Sequence, residues 1–280
     1  MNPFEIILTQ PILNILIVFY HAFLVIHLPW ALGFSIIAMT VTIRMILWPL
    51  TTAQLKSTQK MAALKPHLDR IKVEHGHDKV RHQQEVSKLY KEHNVNPLAG
   101  CLPVVLQLPV FFALYNVLLK IVQFNNNDAL VAINQKIYPF LSAFKLDKIP
   151  DTHFLGFDLA TKPNAWQHVG IIILLIPILT AVFQFIQSKM MTPAPSTAVV
   201  KKSKPEKDKA KEKDSMEDTM AQMQGQMIFL MPAMIAFFSF NFPVGLALYW
   251  NTFTIIGIIQ QYKIAGAGSL NKFLPRKWQK

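Results

Sequence analysis

From Gln226 to Tyr262 the chain carries no charged side chain. About 20 apolar residues cross a bilayer once, so this run has to turn back on itself. The turn is written at 241–245, "NFPVG", where Pro243 and Gly245 divide the run into spans at 226–241 and 243–262. Three earlier stretches also reach spanning length. Residues 31–51 contain "ALGFSIIAMTVTIRMILWPL", with Arg44 as the only charge. Residues 98–122 carry Lys120 near one end, where it can snorkel, and 166–187 carry no charge. Charged residues make up only 16% of the chain, against about 25% in soluble domains. Five spans are expected, and none contains an acidic residue.

The polar segments set the orientation. Residues 51–97 hold nine Lys/Arg, 188–225 hold eight and 263–280 hold five, whereas 123–165 hold four and 1–30 none. The positive-inside rule places the first three groups in the cytoplasm of a bacterial inner membrane and the other two outside. An outside N-terminus and a cytoplasmic C-terminus require an odd number of spans, as counted. No basic n-region precedes Arg44, so no secretory signal is read and the mature chain is expected to begin near Met1. Within 1–30, residues 4–27 are apolar except for Gln10, Asn14 and His21, whose spacings of four and seven put them on one helical face. The expectation is an amphipathic helix in the outer interface. A sixth span turning at "HLPW" is the alternative.

The loop at 52–97 has two periodic apolar runs, Leu55 to Ile71 and Val80 to Leu89, separated by "EHGHD". That pattern fits a cytoplasmic helical hairpin with one thin apolar stripe, or simply a solvated two-helix loop. The second loop, 188–225, is rich in Pro, Lys and Glu and is expected to be disordered. A formal net charge of +12 asks for anionic partners: lipid headgroups, nucleic acid or ribosomal RNA.

Arg44 lies about 20 Å from the outer edge of a core roughly 30 Å thick. At the bilayer centre an arginine costs roughly 2.5–3.5 kcal/mol. Two readings offset that cost: snorkelling to the cytoplasmic interface, or a water-filled cavity inside the bundle. Thr40 is one turn earlier on the same face. Gln107, Gln184, Gln187, Asn251 and Thr252 are polar groups that could line such a cavity, although each alone is ordinary inter-helix glue. Methionines at 216, 220, 223, 227, 231 and 234 form one helical stripe, suited to packing or to adaptable binding of apolar segments. The histidines of the hairpin match no metal-ligand spacing, and the single cysteine, Cys101, excludes an internal disulfide. No nucleophile elbow, P-loop or glycine fingerprint occurs, so neither an enzyme nor a cofactor is expected.

"GFSIIAMTVTIRMILWPLTTAQLKSTQKM", "NPLAGCLPVVLQLPVFFALYNVL" and "MIFLMPAMIAFFSFNFPVGLALYWNTFTIIGIIQQ" resemble the core spans of the YidC/Oxa family of membrane-protein insertases. With the "FIQSK" segment they follow the family order over roughly residues 10–264. The resemblance implies an all-α polytopic membrane protein. It would have five transmembrane helices around a hydrophilic groove, a cytoplasmic helical hairpin and an N-terminal interfacial amphipathic helix. By position Arg44 matches the groove arginine, Thr40 the polar residue one turn before it, Gln187 the groove glutamine and Trp250 the aromatic groove residue. The large extracytoplasmic domain of some members is not read before residue 30, nor the lipid-modified cysteine of others.

The implied function is insertion and folding of nascent membrane proteins, with Arg44 drawing short acidic tails into the groove. The Sec translocon, the ribosome through the basic tail at 263–280, and anionic lipids are further partners to consider; DNA is not. Two rivals stay open at this stage: an assembly scaffold or chaperone that inserts nothing, and a small-anion transporter.

Overall fold

The computed structural model describes residues 3–95, 102–122, 127–191 and 216–273. Residues 98–101 of the expected second span, 192–215 of the basic loop and 274–280 of the tail lie outside the described residues. After a π-helical turn at Glu5–Thr9 come α1 (Gln10–Val25), α2 (Ala31–Ile46), α3 (Trp48–Ala63), α4 (Lys65–His75) and α5 (Lys79–Glu92). They are followed by α6 (Leu102–Val122), α7 (Asn127–Asn134), α8 (Trp166–Val169), α9 (Leu175–Met191), α10 (Met216–Asn241) and α11 (Val244–Ala265). Among the described residues the only strands are β1 (His153–Phe154) and β2 (Phe157–Asp158), one short antiparallel pair.

Ile7, Ile171, Ile178, Phe229 and Phe237 are exposed on the helices, an exterior that fits lipid as solvent. Among the described residues, Glu5–Val25 and Ile171–Met191 are long and apolar enough to cross a membrane. Ala31–Ile46 with Trp48–Ala63 adds a third if that bent pair is one span. The first of these is the segment expected to lie in the interface. Its polar face is turned into protein: the Gln10 and Asn14 side chains donate to Lys136 O at 3.1 Å, and Asn14 Oδ1 accepts from Tyr138 N at 2.8 Å. Bonds to a partner some 120 residues away satisfy those amides without water.

The core gathers where α1, α2, α6 and α11 meet the connection between α7 and α8; Leu16, Ile36, Met39, Leu114, Leu159 and Tyr249 are fully buried there. This end of the molecule is termed the loop end. Its connection is sewn down by specific bonds. Asn134 pairs with the backbone of Leu146 through both its amide atoms, at 2.9 and 2.8 Å. The Val244 and Gly245 amides, at the free start of α11, donate to Thr161 O and Leu159 O at 2.9 Å each. Phe154 lies on the backbone of Gly33 with Trp30 and Phe34 edge-on beside it, so a Cβ at 33 would overlap its ring.

At the opposite, hairpin end, α2 and α3 meet at Leu47 with a bend of 61°. Pro49 in the first turn of α3 has no N–H to continue the ladder, which favours the break. α4 and α5 pack together, and Asp78 caps α5 by accepting from the Val80 and Arg81 amides at 3.1 Å.

Two outcomes are expected at the loop end. Gly33→Ala has to displace the fenced Phe154 ring and should lower stability by about 1–3 kcal/mol in detergent unfolding. His153 donates its amide and Nδ1 to Asp151 Oδ1 at 3.0 and 2.7 Å. Those bonds hold the Asp151 carboxyl below its usual range, and the side-chain bond raises His153 above its own. The pair therefore contributes fully between those limits. It fades as pH rises through the folded-state value of His153, and as pH falls through that of Asp151. NMR titration should give His153 a midpoint above the ordinary ~6.5 that returns towards it in Asp151→Asn.

Candidate functional site

Six helices place side chains around one cavity of about 400 Å³ on the hairpin side of the core. α2 brings Arg44, in its last turn; α9 brings Gln184 and Gln187; α6 brings Gln107. α11 brings Trp250, Phe253, Thr254, Gly257, Gln260 and Gln261, positions three or four apart along one face. Met61, Met191, Met231 and Met234 complete the wall on the side of α3, α9 and α10.

Arg44 is 6% exposed, and its guanidinium carbon lies 4.0 Å from the centre of the Phe253 ring. The stacking supplies a cation–π attraction. Among the described residues Arg44 has no ion-pair partner, and its Nε has no hydrogen-bond acceptor. A buried charge without an acid opposite it needs other compensation, part of which the Phe253 ring supplies here.

Gln107, Gln184 and Gln260 are held by bonds to neighbouring helices. Gln107 Nε2 donates to the Tyr249 hydroxyl at 2.6 Å, and Trp250 Nε1 donates to Gln184 Oε1 at 3.2 Å. Adjacent residues of α11 are thus tied to α6 and to α9. Trp250 also stands edge-on to Phe111 at 5.6 Å. Gln260 is fully buried at the bend, donating to Trp48 O at 3.1 Å and to the Thr51 and Thr52 hydroxyls at 2.7 and 3.1 Å. It fastens α11 to the first turn of α3.

Of the residues singled out in the sequence, Arg44, Gln107, Gln184, Gln187 and Trp250 converge on the cavity. Thr40 does not line it: the side chain is buried and its hydroxyl donates to Ile36 O at 2.6 Å. Asn251 and Thr252 also fall outside the wall, Thr252 bonding Leu248 O at 2.8 Å. Of the methionine stripe, Met231 and Met234 reach the cavity; the side chains of 216, 220, 223 and 227 lie outside the described residues. Thr254, Gly257, Gln260 and Gln261 went unnoticed in the sequence, although the helical period counted from Trp250 reaches each of them.

The family described as 60Kd inner membrane protein matches residues 22–269, a range that includes every residue lining the cavity. The chain belongs to this family, the YidC/Oxa insertases. It is accordingly a helical protein of the inner membrane, from a family of insertases and not of enzymes. Similar curated proteins are the membrane protein insertases YidC of Rickettsia massiliae and Rickettsia rickettsii, each 35% identical over 235 residues, and that of Rickettsia prowazekii, 34% identical. Each match covers 83% of this chain and 35% of the relative, so the chain spans about a third of their length.

The Gln260 network generates a prediction. Gln260→Leu removes the donor that ties Trp48 O and the Thr51 and Thr52 hydroxyls to α11, while Trp48 O keeps its bond from the Thr51 hydroxyl at 3.1 Å. The substitution should destabilise the chain by about 1–3 kcal/mol. Thr51→Val in the same background should add less than it costs alone, since both remove one network; unfolding of the four variants of the cycle measures the coupling.

Proposed function

We propose that this chain is a membrane-protein insertase working through a hydrated groove that contains the cavity. Arg44 attracts acidic groups in the short polar tail of a nascent membrane protein, and the client's apolar helix then passes into lipid. Burial of that helix, about 25 cal/mol per Å² of apolar surface, drives the step. The reading rests chiefly on one observation: a buried arginine with no ion-pair partner among the described residues, facing a wall of neutral amides, methionines and aromatic rings.

In this reading α2, α6, α9, α10 and α11 are the five core spans, with the N-terminus outside and the C-terminus in the cytoplasm. The α4–α5 hairpin then stands beside the groove's cytoplasmic mouth, where clients and partner proteins arrive. The basic tail at 263–280 suits ribosomal RNA, the basic loop at 188–225 suits anionic headgroups, and the Sec translocon is a further partner. The methionine side of the wall suits clients of differing shape, because thioethers repack easily.

The test is insertion of a one-span protein with an acidic tail into liposomes holding only the purified chain, scored by protease protection. A charge-assisted contact is worth about 1.5–3 kcal/mol, so Arg44→Ala should slow insertion roughly ten- to a hundredfold. Arg44→Lys should keep most of the rate, and Arg44→Glu should fall below Arg44→Ala. Acidic-tailed clients inserting equally well with Arg44→Glu would refute the role given to the charge. Crosslinking of the client to the groove without protection would mark a chaperone that needs another machine.

A further inference from the structure

Gly257 sits in the middle of α11, where glycine is less favourable to a helix than alanine. Its position on the cavity face explains why a side chain is missing there. A Cβ built at 257 would overlap Arg44 Nη2 and stand 2.5 Å from Gln187 Nε2. One turn earlier on the same face, the Phe253 ring carries the same guanidinium at 4.0 Å. The arginine of α2 therefore lies along α11 with its guanidinium carbon over the Phe253 ring and one terminal nitrogen against the bare backbone of Gly257. The amide of Gln187, from α9, comes in against the same spot.

We propose that Gly257 is a positioning residue. The gap it leaves seats the Arg44 guanidinium over Phe253 and brings the Gln187 amide beside it, so that both present their N–H groups to one carboxylate of the client. This deepens the insertase reading above and rests on it for the identity of the ligand. The atoms that a Cβ would displace are the far ends of two flexible side chains, with no backbone among them. Gly257→Ala should consequently fold normally, while Arg44 lifts off the ring and parts from Gln187. A purely structural glycine would behave differently, since alanine there would leave insertion untouched.

The experiment uses the full chain in liposomes and two clients that differ only in whether the tail carries aspartates or asparagines. Misplacing a positioned group by about 1 Å can lower a rate by up to about 10²-fold, and a flexible arginine recovers part of that, so Gly257→Ala should slow the aspartate client roughly tenfold. The asparagine client should be unaffected. In an Arg44→Lys background, Gly257→Ala should slow the aspartate client clearly less, because lysine has no second nitrogen to clash and only the Gln187 amide is displaced. Equal slowing of both clients, or equal slowing in both backgrounds, overturns the proposal.

A second measurement is independent of insertion. The guanidinium resonances of Arg44 should carry the ring-current shift of Phe253 in the wild-type chain, and Gly257→Ala should abolish it. An unchanged shift overturns the positioning role even if insertion falls. Should Arg44→Ala insert the aspartate client at the wild-type rate, the insertase reading of the charge fails, and the resonance shift still decides the role of Gly257.

Discussion

A guanidinium enclosed by apolar helices, with no carboxylate opposite it, must be solvated by something other than an ion pair. Most of the site's construction follows from that requirement. The cavity wall near Arg44 is built from glutamines, which offer hydrogen bonds and carry no charge. A glutamate in their place would neutralise the arginine and lock the two into a buried pair, which is weak evidence of stability and poor for binding anything else. Gln107 and Gln184 are moreover fixed to Tyr249 and Trp250, so the wall stays polar without collapsing onto the charge.

The same helices do two incompatible jobs along their lengths. α2 contributes Ile36 and Met39 to a dry core, and one turn beyond Thr40 it contributes Arg44 to the cavity. α11 likewise runs from Leu246 and Tyr249 in the core to Gly257 and Gln260 on the polar side. The two regions meet around Leu246, which belongs to the core and also lines the cavity, and Tyr249, which is buried beside Trp250. The buried connection beneath them, with Leu159 and Phe154, makes the loop half solid. Whatever enters the cavity meets packed side chains in that direction.

The helical architecture was legible because apolar length and charge asymmetry act locally along the chain. Arg44 was legible because one charge in an apolar run has few innocent explanations. The features that stayed hidden depend on partners distant in sequence. The spacing of Gln10 and Asn14 gave their shared face correctly, but periodicity contains nothing about a peptide group at Lys136 that accepts from both. Thr40 had the right spacing from Arg44, yet its hydroxyl is consumed by Ile36 O and the residue belongs to the core. Gly257 carries no side chain to attract notice; its meaning appears only when α2 and α9 are brought against it.

The bend at Leu47 has a mechanical side. α3 is 16 residues long, about 24 Å, and its near end is pinned to α11 by Gln260. It is thus a rod pivoting on a bolt, with the hairpin as its handle. A swing of ten degrees carries the far end about 4 Å while the bolt scarcely moves. Thr51, Gln54 and Met61 ride on this rod and form one wall of the cavity. A tilt of α3 about its pinned end would therefore change the width of the cavity that Arg44 lines.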